Sequence, residues 1–246
     1  MHNESAAIKD FLFDLGADLA SFGDITELPA DHRRNMPFGI AVALKYPSKV
    51  IEDIVDMPTQ EYFKYYNDLN EKLDFIVQSA AQKISDMGYN AIAQTREYAR
   101  ENALDEETVL IPHKTIATRA GLGWIGKCAL LITKEFGSSV RLSSLLTDIP
   151  LQTNQPYNEG KCFNCRLCQQ NCPAEAVKGK NWDIKTSRSE LIDVNLCEKK
   201  ARQRAAAIGV DAVICGRCIA VCPFTKRYIK ENKNNKNEIK GVENEK

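Results

Sequence analysis

Cysteines are the residues whose type and spacing could do chemistry in this chain. Cys162, Cys165, Cys168 and Cys172 form C-x2-C-x2-C-x3-C followed by Pro173, and Cys215, Cys218 and Cys222 form C-x2-C-x3-C followed by Pro223. In the first spacing, three thiolates hold one [4Fe-4S] cluster while the fourth ligates a second cluster. Two-residue gaps let a tight loop wrap three thiolates around one face of a cube, and the longer step carries the fourth away. The proline turns the chain where no further loop ligand is needed. By that logic Cys162, Cys165 and Cys168 take Cys222 as fourth ligand, while Cys172, Cys215 and Cys218 require one more thiolate. Cys197 is the unassigned cysteine nearby and the natural choice, although its separation from Cys215 departs from the compact spacing. Zinc is the competing reading, but structural zinc normally shows two paired C-x2-C or Cys/His groups rather than three-cysteine runs ending in Pro. All cysteines except Cys128 lie between 162 and 222. Cys128 itself reads as an ordinary buried thiol.

The elements that must position these thiols divide near residue 150. Residues 1–150 alternate helical and strand patterns, an α/β or α+β body. Ile8, Phe11, Leu12, Leu15 and Leu19 recur at helical spacing, which predicts a helix ending near Phe22-Gly23. Residues 38–44 (FGIAVAL) read as a buried strand, and 89–93 and 129–133 as further short strands. Leu69, Leu73, Ile76, Val77, Ala80, Ala81 and Ile84 mark the clearest helix, stopped by Gly88. Residues 141–146 are ambiguous between strand and helix. Tyr62, Tyr65 and Tyr66 sit at helix spacing and read as packing residues. A polar linker, 151–160, opens the cysteine module at 151–225. Residues 226–246 are rich in Lys and Asn, which predicts a polar, flexible tail because so little apolar surface is available to offset ordering entropy.

Residues 119–127 read RAGLGWIGK, between a predicted helix (114–120) and a strand. Gly121, Gly123 and Gly126 would let the backbone approach a ligand closely. The order helix, glycines, strand is the reverse of the dinucleotide fingerprint, and a packed turn without ligand fits the spacing equally well.

Taken together, AGLGWIGK (120–127), GSSVRLSSLLTDIPL (137–151) and the two cysteine runs in that order resemble the epoxyqueuosine reductase family, which is related to reductive dehalogenases. The resemblance covers most of 115–224. It implies a nitroreductase-like, cobalamin-type body followed by a ferredoxin-like double [4Fe-4S] module. It also supports Cys197 as the last ligand of the second cluster. Electrons from a donor such as ferredoxin or flavodoxin would enter through one cluster and pass to the other. They would then reduce a corrinoid beside a proton donor, the cobalt chemistry being the cofactor's own. Gly121, Gly123, Trp124, Gly126 and Lys127 are the implied cofactor-binding residues, and Lys114 and Arg119 could also reach corrinoid amides or phosphate.

Three departures from the family pattern bear on substrate. Family enzymes acting on transfer RNA usually continue into a helical-repeat domain, whereas this chain ends at Lys246. The element Asp-Thr/Ser-Gly/Ala-Pro that carries the proposed acid becomes Glu107, Thr108, Val109 and Leu110, keeping a carboxylate and losing the turn. His113 stands where a glutamate is common. Glu107 and His113 are therefore the catalytic candidates, the histidine able to protonate a substrate near neutral pH. Their plainer roles are a solvated helix-start charge and a structural histidine.

Composition bounds the rest. Hydrophobic residues make up 43% and charged residues 27% of 246 positions, a globular balance. No apolar run approaches the eighteen or so residues of a membrane span, and no signal peptide is visible. A thiol cluster without that signal predicts a reducing, cytoplasmic compartment. Lys plus Arg equals Asp plus Glu at 33 each, and each oxidised cluster with four thiolates adds about two negative charges. Weak or no specific transfer-RNA binding is therefore expected. The resemblance then implies a small-molecule or nucleoside substrate, reduced by an iron–sulfur oxidoreductase. The alternative is an electron-transfer protein that relays electrons to a partner.

Overall fold

The computed structural model describes residues 2–102 and 110–243. Its elements, in chain order, are α1 (His2–Asp14), β1 (Leu19–Asp24), β2 (Phe38–Lys45), α2 (Ser48–Asp53), α3 (Gln60–Asp86), β3 (Ala91–Ala93), α4 (Arg96–Glu101) and α5 (His113–Arg119). They continue with β4 (Trp124–Ile125), β5 (Leu131–Ile132), β6 (Val140–Thr147), α6 (Leu167–Gln170), α7 (Arg188–Leu191), α8 (Val194–Ala206), α9 (Arg217–Ala220) and α10 (Pro223–Glu243). The architecture is mixed α/β, as expected. Among the described residues no helix is long and apolar enough to cross a membrane.

Two compact units divide the chain, and they do not follow a single cut near 150. The first comprises Met1–Lys45, Tyr66–Trp124 and Arg141–Glu159; the second comprises Tyr46–Tyr65, Ile125–Val140 and Gly160–Lys246. The sequence-based boundary misses this interleaving because cohesion depends on which segments pack together, not on where composition changes.

The first unit is built on a sheet of order β1-β2-β6-β3. β1 and β2 are antiparallel with Leu19 opposite Ala43, and β3 and β6 are antiparallel with Ala91 opposite Thr147. β2 matches the predicted apolar run, and its six central residues are buried. Ile8 and Leu12 of α1 and Leu73, Ile76, Val77, Ala80 and Ile84 of α3 pack with Ile40, Val42 and Leu44 into one core. Burying each such side chain contributes about 1.5–3 kcal/mol. The ambiguous 141–146 segment is strand, within β6.

α1 is shorter than its apolar spacing predicts. Gly16 N–H donates to the Phe13 carbonyl and Ala17 N–H to the Leu12 carbonyl, closing the helix C-terminus. Leu19 then opens β1, in which four successive residues are buried. A strand covered on both faces lacks the period-2 signature that distinguishes it from a helix continuation.

In the second unit α6 packs against α9, and α10 against α2 and α9. The segment from 226, expected as a flexible polar tail, is helical through Glu243. Pro223 occupies its first position, where a missing N–H costs nothing. Buried Tyr228 anchors it, donating to the Tyr46 carbonyl at 2.8 Å and meeting the Phe136 ring edge-on at 5.2 Å. Thr225, also buried, accepts from Ser138 N–H at 3.1 Å.

Candidate metal centre

Short hydrogen-bonded turns set the cysteine loops of the second unit. Cys165 N–H donates to the Cys162 carbonyl, α6 carries Cys168, and Cys172 N–H returns to the Gln169 carbonyl. The second run repeats the device. α9 carries Cys218, and Cys222 N–H donates to the Ile219 carbonyl. Arg217 joins the two runs by donating to Asn171 Oδ1 at 2.9 Å. Cys197 sits on the first turn of α8, whose cap Asp193 accepts from Leu196 N–H.

A cavity of about 180 Å³ is lined by Cys162, Cys165, Cys168, Cys218 and Cys222 together with Cys128, Lys127 and Lys161. The remaining lining is apolar: Ile132, Pro223 and Phe224. Burial pushes the Cys222 thiol above its ordinary value, with Cys162 adding to the effect. Burial likewise raises Cys197, and its charged neighbours in that effect are Cys172 and Cys215. Cys222 thus lies near Cys162, and Cys197 near Cys172 and Cys215.

The donor set is all thiol, the ligand type of iron–sulfur clusters. Among the described residues no three His, Cys, Asp or Glu side chains gather tightly enough to hold a single metal ion. Lys127, 4% exposed, donates to the Phe163 carbonyl at 2.7 Å and brings positive charge to an anionic centre.

Cys128 is buried, as expected, but not ordinary. Its Sγ lies within hydrogen-bonding reach of Cys168 and Cys218, and its thiol is pushed well above the usual cysteine value. Nothing in the sequence signals this, because more than thirty positions separate it from the first run.

The glycine segment is largely occupied by the protein itself. Gly121 has φ +66°, and a Cβ there would lie 2.5 Å from the Gln155 carbonyl oxygen. A Cβ on Gly126 would meet the Ile132 side chain at 2.5 Å. Trp124 is buried with its ring centroid 5.6 Å from Tyr157. Lys127 belongs to the cysteine cavity rather than to an open corrinoid face. Gly123 is also buried. Arg119, 3% exposed, pairs with Glu27 at 2.6 Å and donates to the Tyr157 carbonyl. Packing therefore accounts for the loop in this structure, and no corrinoid contact is assigned to it.

A second cavity, in the first unit, opens beside His113. It holds about 670 Å³ and is lined by Tyr66, Asn70, Asp74, Arg96, Glu97, Ala99, Arg100 and His113. His113 begins α5, and its Nδ1 lies 2.8 Å from Ser144 Oγ, which donates to Gln94 Oε1. Desolvation, with help from the Arg141 charge, pushes its pKa down to about 4. The imidazole is therefore neutral at pH 7, which corrects the expectation of a proton donor near neutrality. Glu107 lies outside the described residues. The sequence reading missed Arg141, stacked over the Tyr66 ring at 4.3 Å and bonded to Asn70 Oδ1 at 2.9 Å. Tyr66 is accordingly a cavity wall, not only packing.

Comparison with known proteins follows the same division. Residues 161–225 match the family described as a 4Fe-4S double cluster binding domain. An epoxyqueuosine reductase of Listeria monocytogenes is 28% identical over 200 residues, covering 77% of this chain and 48% of that protein. This chain spans about half the length of the curated relatives it matches, from 48% to 52% for the first three. Among solved structures, an epoxyqueuosine reductase crystallised with an epoxyqueuosine-modified tRNA stem loop superposes with TM-score 0.59 at 20% identity, over 92% of this chain and 66% of that one. A reductive dehalogenase described as performing B12-dependent dehalogenation superposes with TM-score 0.63 at 18% identity, over 88% of this chain and 31% of that one. The thiol-lined cavity, the matched cluster domain and these relatives converge: the chain is an iron–sulfur protein similar to the epoxyqueuosine reductases.

Proposed function

We propose that the chain is an oxidoreductase holding two [4Fe-4S] clusters and reducing a small or nucleoside-type substrate with electrons from a ferredoxin or flavodoxin. The observation that carries this reading is the cavity lined by Cys162, Cys165, Cys168, Cys218 and Cys222 within the segment that matches a 4Fe-4S double cluster binding domain. Cys162, Cys165, Cys168 and Cys222 would hold one cluster, and Cys172, Cys197, Cys215 and Cys218 the other. When bound, the clusters supply low-potential one-electron transfer. The chain's own residues half-bury the thiols, counter the cluster charge with Lys127 and Lys161, and offer a polar cavity at His113. There the neutral imidazole, fixed by Ser144, accepts or orients a substrate hydrogen bond, leaving the proton donor to another group such as Glu107.

Use of a corrinoid is supported by the B12-dependent relative and by the motif at 120–127, not by the packed glycine positions. The similar enzyme crystallised with a tRNA stem loop makes transfer RNA one of the substrates to test.

Anaerobically purified protein is expected to carry about eight iron per chain. Cys197→Ser should lose or convert one cluster and keep the other, as read by electron paramagnetic resonance. Four iron, stoichiometric zinc, or two unchanged clusters in that variant overturns the assignment. Reduced protein offered epoxyqueuosine nucleoside or modified stem loop, with and without cobalamin, should reoxidise only when a true substrate is present. Reoxidation only by a redox partner would favour the electron-relay alternative.

A further inference from the structure

We infer that Cys128 is a positioning residue of the iron–sulfur centre, a thiol within reach of a ligand sulfur of each cluster that donates its single proton to one of them and raises the potential of the cluster that receives it. The inference rests on the two-cluster reading above. The eight other thiols already complete two sets of four, so no iron coordination remains for a ninth. Cys128 is nevertheless not isolated. It is 4% exposed, lines the cavity with five other cysteines, and its Sγ reaches both Cys168 and Cys218. Those two belong to different sets, so one side chain touches a ligand of each cluster.

The local fold holds it there. Gly126 N–H donates to the Leu130 carbonyl at 2.8 Å and Ala129 N–H to the Gly126 carbonyl at 2.9 Å, closing a tight turn. Ala129 completes that turn at φ +59°, a left-handed conformation that costs a non-glycine residue about 1 kcal/mol or more. The neighbouring Lys127 is tied to the Phe163 carbonyl inside the first cysteine run.

The consequence is electrostatic. A hydrogen bond to a ligand sulfur withdraws electron density and favours the reduced, more negative cluster. A thiol is a weak donor, but a buried site screens it little. Cys128 can therefore tune a centre without binding iron, with a ligand of each cluster in its reach.

The test uses the full chain with both clusters assembled anaerobically. Cys128→Ala and the near-isosteric Cys128→Val remove the donor, and Cys128→Ser keeps one. Iron content and potentiometric titration followed by electron paramagnetic resonance are read for each. All three variants are expected to retain wild-type iron. The alanine and valine proteins should show a midpoint shifted to more negative potential in at least one cluster, and serine should return it toward wild type. Wild-type midpoints in the alanine or valine protein overturn the inference. So does loss of a cluster, which would make Cys128 a ligand. A serine midpoint as negative as that of alanine also overturns it, because packing would then be the cause. Wild-type protein holding fewer than two clusters instead removes the underlying reading, an outcome visible before any variant is compared.

Discussion

His113 shows how one side chain's environment decides its chemistry. Its folded pKa, about 4, lies below the ordinary 6.5. Below pH 6.5 the unfolded chain takes up a proton that the folded chain refuses, so stability is full above about 6.5 and falls as pH drops toward 4. The side chain is only half-buried, so the loss should be about 1–2 kcal/mol rather than the full linkage value. Anaerobic thermal melts between pH 7.5 and 5 should show a shallower acid slope in His113→Gln than in wild type. Equal slopes would mean that the imidazole is not desolvated. Arg119 is a second residue-scale case. Its guanidinium is buried while Glu27 is about half exposed, so Arg119→Ala mainly abandons the Tyr157 carbonyl. A destabilisation of about 1–3 kcal/mol is expected in chemical denaturation.

At the scale of elements, the turn at 120–126 joins α5 to β4 and is shaped by the protein's own packing. Gly121→Ala would place a methyl 2.5 Å from the Gln155 oxygen in a left-handed conformation. That should cost about 2 kcal/mol or more, roughly 4–8 °C in Tm. The same variant separates packing from cofactor binding. If the glycine serves packing, stability falls whether or not cobalamin is added, and the cobalamin absorption spectrum of protein that remains folded is unchanged. α10 makes the corresponding point at the other end of the second unit. Tyr228→Phe removes the hydrogen bond to the Tyr46 carbonyl and should weaken amide protection in the first turns of that helix, as read by hydrogen exchange.

The molecule as a whole divides into two units with different sources of cohesion. The first has a continuous apolar core, from Ile8 and Leu12 through Val42 and Leu44 to Ile76, Val77 and Leu145. The second gathers nine thiols on helices and turns beside a buried apolar set that includes Tyr46, Ile51, Ile54, Leu131, Leu191 and Tyr228. Metal binding to such a site is itself folding free energy. Stripping iron with chelator and oxidant should therefore abolish hydrogen-exchange protection across 160–223 while the first unit retains it. Uniform loss across both units would show that the first cannot hold itself together without the clusters.

The cysteine runs determined the cluster chemistry without any tertiary information, because iron–sulfur ligation is written in local spacing. β2, the α3 periodicity and the mixed α/β class were legible for the same reason: each is a short-range pattern of apolar residues. Cys197 entered the proposal by counting and by family resemblance, since the residues between it and Cys215 carry no ligand rhythm. Three features needed the fold. Cys128 meets Cys168 and Cys218 only because the β4–β5 turn brings it there. His113 is held neutral only because Ser144, Gln94 and Arg141 converge on it from distant segments. The 223–243 helix is anchored at its start by Thr225 and Tyr228, whose buried partners lie far away in sequence. Spacing encodes which atoms can bind iron. Burial and charge arise between segments far apart in sequence, and they set the protonation state and position of everything around those atoms.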